Sequence, residues 1–195
     1  VKYFIGLGTS DQAMMAVGSL QKNRALLFSP TASTYQLGEP KQNVVMLFPP
    51  NRDLADRLAN EARTRKLKKV AIISASNSEY SRNVAELFVA ATSKYGVQIT
   101  EHFSRRNGEL SAEDLTLLFK EPFDALFLPL YELDVARLLT MLSRRNLDYW
   151  LIGADSWGSS SSVILRVAND LKFKAFLPYV YDANHTARLN LVFKT

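Results

Sequence analysis

A chain of 195 residues, 47% hydrophobic and 22% charged, has enough apolar material for a buried core, which excludes disorder for the bulk of it. Cysteine is absent, so disulfides, thiolate chemistry and cysteine-based metal sites are excluded together. The net charge of +5 and pI of about 9.4 come without a nucleic-acid-binding motif, and no apolar run reaches the roughly 18 residues of a membrane span.

Short apolar runs alternate with amphipathic stretches along the chain. Val1–Ile5 and Ala25–Phe28 read as buried strands, and between them Ala13, Met14, Val17 and Leu20 recur at helical spacing. Val44–Phe48 is a further apolar run closed by Pro49-Pro50, after which Asn51 is placed to cap a helix carrying Leu54, Leu58 and Ala62 on one face. The basic group Arg63 to Lys69 falls at the solvated end of that helix, where positive charge complements the dipole. The alternation then becomes regular. Val70–Ile73, Val97–Phe103, Ala125–Leu128, Trp150–Ile152 and Ala175–Val180 read as strands. Between them lie helical patterns through Val84, Leu87, Phe88 and Ala91, then Leu115, Leu118 and Phe119, then Val135, Leu138, Leu139 and Leu142, then Val163, Ile164, Val167 and Leu171.

Strands apolar on both faces, alternating with amphipathic helices, predict an α/β fold of parallel sheets covered by helices on both sides. The segment Tyr35–Asn43 and the two prolines interrupt the pattern and place a lobe boundary near residue 50.

In open parallel sheets ligands bind beyond the carboxyl ends of the strands, so the residues there are the candidates. They are Thr9-Ser10-Asp11, Ser29 to Thr34, Ser74 to Tyr80, Pro129-Leu130-Tyr131 and Gly153 to Trp157. Hydroxyls and helix-terminal amides suit a carboxylate, tyrosine rings supply apolar contact with a polar tip, and an aspartate can hold an ammonium. Together they describe a pocket for a small zwitterion. Each of these Ser, Thr and Asp residues is equally suited to the ordinary work of capping a helix.

Other chemistry finds little support. Gly6-Leu7-Gly8 begins like a dinucleotide fingerprint but lacks the third glycine and the distant acid, and there is no phosphate-binding loop or nucleophile elbow. His102 and His185 stand far apart without partners at metal-ligand spacing, so neither a metal nor a cofactor is expected. Asp53, Asp56, Glu113 and Asp114 fall on polar helix positions expected to face solvent, and Ser159–Ser162 reads as a flexible start to a helix. Nothing in the sequence calls for a catalytic residue.

Val1-Lys2-Tyr3-x-Ile5-Gly6 with Ser10, then Leu27-Phe28-Ser29-Pro30-Thr31-Ala32-Ser33, resembles the type I periplasmic binding proteins, in particular the leucine/isoleucine/valine-binding group. Lys69 to Ile73, Tyr80-Ser81, Asp124 to Tyr131 and Ile152-Gly153-Ala154-Asp155 continue the resemblance in order over nearly the whole chain. The resemblance implies two doubly wound lobes that close on a ligand: residues 1–50 as part of the first, 51–180 as a complete second, and 181–195 as a return segment. It assigns Ser10 and the Thr31-Ala32-Ser33 turn to the ligand carboxylate, Tyr80 and Tyr131 to the pocket wall, and Asp155 to the ammonium. It further implies an extracytoplasmic (periplasmic or extracellular) protein that delivers a small solute to a membrane ABC permease. Two other roles fit the same fold, an envelope scaffold that binds a protein and the effector domain of a sensor or regulator. Relatives begin with a further strand–helix–strand block and end with more of the first lobe, so the sequence reads as a fragment. Where some relatives carry a disulfide cysteine, this chain has Thr9.

Overall fold

The computed structural model describes residues 2–143, 148–157 and 174–178. Within them lie eight strands and five α-helices in the order β1 (Lys2–Ile5), α1 (Ser10–Lys22), β2 (Ala25–Ser29), β3 (Val44–Met46), α2 (Asn51–Thr64), β4 (Lys69–Ala75), α3 (Glu79–Tyr95), β5 (Gln98–Arg105), α4 (Ala112–Leu118), β6 (Ala125–Leu128), α5 (Glu132–Leu142), β7 (Trp150–Gly153) and β8 (Lys174–Phe176). The strands form two separate sheets, one in the order β1-β2-β3 and one in the order β5-β4-β6-β7-β8, and every pairing is parallel. The α/β architecture with parallel sheets expected from the alternation of runs and amphipathic stretches is the architecture found.

The larger sheet shows why its strands are apolar throughout. Val70, Ile72, Ala125, Phe127 and Ile152 point to one face and join Leu54, Leu58, Val84 and Phe88 from α2 and α3. Ala71, Ile73, Leu126, Leu128 and Leu151 point to the other and join Leu118, Val135, Leu138 and Leu139 from α4 and α5. Successive residues of one strand thus enter different cores, the period of two that a strand imposes. Phe88 and Phe127 meet with ring centroids 4.2 Å apart at the centre of the first core. The smaller sheet packs Ala25 and Leu27 of β2, together with Leu37 from a 3-10 turn (Tyr35–Gly38), against Ala13 and Leu20 of α1.

Helix ends follow from local chemistry. Thr9 caps α1 by accepting from the Gln12 N–H at 3.2 Å, Ser78 caps α3 by accepting from the Ser81 N–H at 3.2 Å, and Ser111 with Asp114 forms a capping box on α4. Helix α3 stops at Gly96, whose φ of 68° is the left-handed conformation glycine adopts without strain.

Three expectations need correction. β1 is not buried: Tyr3, Phe4 and Ile5 are 66%, 51% and 84% exposed, because β1 pairs with β2 alone among the described residues and is a sheet edge. Asn51 is the first residue of α2, not its cap; Pro50 holds that position, and the buried Asn51 side chain donates to Asn83 Oδ1 of α3 at 2.8 Å. Asp114 is buried, receiving Arg105 Nε and a terminal guanidinium nitrogen at 2.9 and 2.6 Å. Asp56, by contrast, faces solvent as expected, and there accepts from Lys94 Nζ at 2.8 Å and Tyr95 Oη at 2.9 Å. The expected helix through Val163 to Leu171, Ser159–Ser162, His185, the end of the last strand at residues 179–180 and the return segment 181–195 lie outside the described residues.

Candidate functional site

Segments that follow β1, β2, β3, β4, β6 and β7 meet at one place. A cleft of about 180 Å³ there is lined by Gly8, Thr9, Ser10, Thr31, Phe48, Tyr80, Tyr131, Asp155 and Ser156. The structure therefore gathers Ser10, Thr31, Tyr80, Tyr131 and Asp155 into one place, from segments more than a hundred residues apart in sequence. Ala32 and Ser33 are buried and do not line the cleft, although the Ser33 N–H donates to Ser10 Oγ.

Tyr80 enters from the first turn of α3 and Tyr131 from the residue before α5, and their rings stack with centroids 5.2 Å apart and planes 22° from parallel. Each hydroxyl donates to a carboxylate. Tyr80 Oη donates to Asp155 Oδ1, and the Ser156 N–H donates to Tyr80 Oη at 3.3 Å. Tyr131 Oη donates to Asp11 Oδ2 at 2.9 Å. Burial raises the Tyr80 phenol well above its ordinary range, and the charge of Asp155 adds to this. Burial likewise raises Tyr131, with the Asp11 charge as the next cause. Both phenols are therefore neutral donors. Burial also pushes the Asp155 carboxyl above the usual carboxylate range, against the Tyr80 hydrogen bond, which lowers it. No lysine, arginine or histidine lines the cleft among the described residues.

The opposite wall is a tight turn. Ser10 Oγ accepts from the N–H groups of Ser33 and Thr34, each at 3.2 Å, and the Ala32 N–H donates to Ser29 Oγ at 3.3 Å. Thr31 Oγ1 donates to the Gly8 carbonyl. A methyl group on Gly8 would come within 3.1 Å of Thr31 Oγ1, so glycine lets the loop after β1 approach this turn.

Asp11 is the residue that strand-end reading quoted without giving it a role. From the first turn of α1 it accepts from Ser78 Oγ at 2.9 Å, from the Glu79 N–H at the start of α3, and from Tyr131. A helix N-terminus is a favourable place for a carboxylate, and here a side chain from beside the other sheet supplies it. Sequence offered one signal for this contact, the placement of Asp11 after β1 and of Ser78 after β4. The pairing itself depends on the facing of the sheets.

The family model described as the receptor family ligand binding region matches residues 1–187. The chain belongs to this family of ligand-binding regions. Its fold is the two-lobed α/β fold of the type I periplasmic binding proteins, and solved structures bear this out. The leucine-binding protein of Thermotoga maritima superimposes with a TM-score of 0.83 at 14% identity, over 97% of this chain and 55% of that one. An ABC transporter substrate-binding protein from Desulfitobacterium hafniense superimposes with a TM-score of 0.66 at 18% identity, over 78% of this chain and 46% of that one. The same protein in complex with leucine gives the same values, a TM-score of 0.66 at 18% identity. The chain of this ligand-binding region thus spans about half the length of these structures, 46% and 55%. The search of curated proteins found no match.

Proposed function

We propose that the protein is an extracytoplasmic solute-binding protein that captures an amino acid or close analogue in the cleft between residues 1–50 and 51–180, acting as two lobes, and hands it to a membrane ABC permease. The observation that carries this reading is the stacked Tyr80–Tyr131 pair with Asp155 beside it, in a cleft with no basic side chain among the described residues. A half-buried carboxylate without a cation beside it favours a ligand that brings one, and the ammonium of an amino acid supplies both charge and donors. The tyrosine faces provide apolar surface for the rest of the ligand, whose far end lies toward Ser10 and Thr31. Membership of a ligand-binding family and the likeness of fold to proteins named for leucine binding and ABC transport support the same reading.

Isothermal calorimetry of the protein against a panel of amino acids, their amides and small carboxylates tests this. Heat from an amine-bearing ligand, with the ligand recovered unchanged, is the expected result. No heat from any of them, together with tight binding of a protein partner, would replace the transport role by that of an envelope scaffold. A chemically altered product would overturn both.

A further inference from the structure

The hydrogen-bond polarity of the cleft narrows the class of ligand. A hydroxyl whose proton is already donated presents only lone pairs to whatever binds beside it. Tyr80 donates to Asp155, Tyr131 to Asp11, Thr31 to the Gly8 carbonyl, and Ser156 Oγ to the Leu130 carbonyl at 2.7 Å. In the turn that the family resemblance assigns to a ligand carboxylate, the Ser33 N–H is turned onto Ser10 Oγ and the Ala32 N–H onto Ser29 Oγ, and the next N–H, of Thr34, is also turned onto Ser10 Oγ. Among the hydroxyls lining the cleft, Ser10 is the one whose proton is not engaged by a contact of this kind or by Tyr131, which Thr9 meets.

Charge points the same way. Asp155 stands behind one tyrosine hydroxyl and Asp11 behind the other, so each stacked ring carries an anion at its tip. Asp11 also fixes a negative charge in the first turn of α1 and at the first N–H of α3, where the helix dipoles would otherwise draw a ligand carboxylate. A second carboxylate brought by the ligand would meet a like charge and few free donors. An ammonium meets the acceptor oxygens of Asp155, Thr31 and Ser156.

Resting on the reading of this cleft as the ligand site, we propose that it selects a small organic monocation, an amine or an amino-acid amide, over the zwitterionic amino acid. The ammonium pairs with Asp155, the carbon skeleton lies on the tyrosine pair, and the neutral end reaches Ser10. Selectivity is a difference between two affinities, and here the repulsive element is Asp11.

Calorimetry of the full chain with matched sets built on leucine, phenylalanine, glutamine and lysine tests the proposal, each set holding the acid, its carboxamide and its decarboxylated amine. In any set that binds, the carboxamide and amine are expected to bind at least about tenfold more tightly than the acid. An acid that binds as tightly as its amide, or more tightly, overturns the proposal and leaves the ligand site standing. Sets of which no member binds overturn both. Asp11→Asn, with its melting temperature checked, should bring the acid and amide affinities closer together. An unchanged ratio in a folded variant would remove Asp11 as the source of selectivity.

Discussion

Asp155 lies two residues beyond β7, in a short 3-10 turn with Ser156 and Trp157, and its carboxylate could serve that turn alone or a ligand as well. The two roles respond differently to Asp155→Asn. Asparagine caps about as well as aspartate, so a residue that only caps leaves affinity and melting temperature almost unchanged. A carboxylate paired with a ligand ammonium in a desolvated cleft is worth far more: losing its charge from one side costs about 2–5 kcal/mol, on the order of 30-fold to several thousand-fold in affinity. The large loss is expected. Stability should not fall with it, because burial disfavours the charged form of Asp155 and the substitution removes that penalty. The pH dependence follows from the same upward shift. A folded carboxyl pKa above the unfolded one contributes stability that is present below the unfolded value and lost as pH rises through the folded one. Ligand affinity runs the other way, falling as pH drops through the raised pKa, since the ammonium pairs only with the carboxylate. Titration calorimetry from neutral pH downward should show both the fall and proton release in the wild type, and neither in Asp155→Asn.

At the scale of elements, the parallel strands of the larger sheet were legible because both of their faces are buried, and the residues of β4, β6 and β7 declare that by being apolar without alternation. The same rule misread β1. Apolar residues at a sheet edge carry the same letters as those in a sheet centre, and only the pairing of strands tells them apart. Asp114 was misjudged for a related reason: Arg105 reaches it from the end of β5, a contact that position on a helix does not reveal. Of the site, the strand-end hydroxyls and Asp155 were readable from position along the chain. Which carboxylate each tyrosine would meet was not, because that depends on how the sheets face one another. The turn after β7 depends on a contact equally invisible in sequence. A Cβ at Gly153 would sit 2.7 Å from two atoms of the Trp157 ring and 3.1 Å from Leu177 Cβ, while Trp157 Nε1 donates to the Leu128 carbonyl at 3.0 Å and holds the indole in place. Gly153→Ala should therefore cost about 1–3 kcal/mol through overpacking, read as an earlier urea midpoint with altered tryptophan fluorescence. Because Asp155 follows two residues later, ligand affinity should weaken as well. A variant as stable as the parent would show that the indole can move aside freely.

The whole molecule joins two sheets of unequal self-sufficiency. The larger one has a core on each face, and the described members of both cores fall between Leu54 and Leu177. Among the described residues the smaller one has a single cluster, whose buried members run from Ala13 to Leu37, with Tyr3, Phe4, Ile5 and Leu47 more than half exposed. The contacts that tie the two together include polar ones: Asp11 with Ser78, Glu79 and Tyr131, and the Asn51 N–H to the Ser33 carbonyl at 3.0 Å. Cutting the chain before residue 51 would remove these contacts and leave the cores of the larger sheet whole. A polypeptide of residues 51–180 is therefore expected to be soluble and to unfold in one cooperative transition, as a unit with its own core does. Residues 1–50 alone are expected to stay unfolded, since a lone cluster and an exposed apolar edge strand cannot offset the entropy of ordering fifty residues. Circular dichroism melts of both fragments decide the matter, with amide hydrogen exchange of the full chain as a second measure. Exchange in β4, β6 and β7 should be slowest and should change little on truncation, whereas β1 should exchange early. A 51–180 fragment that aggregates or melts without a transition would show that the sheets fold only together, and would withdraw the division of the chain at residue 50.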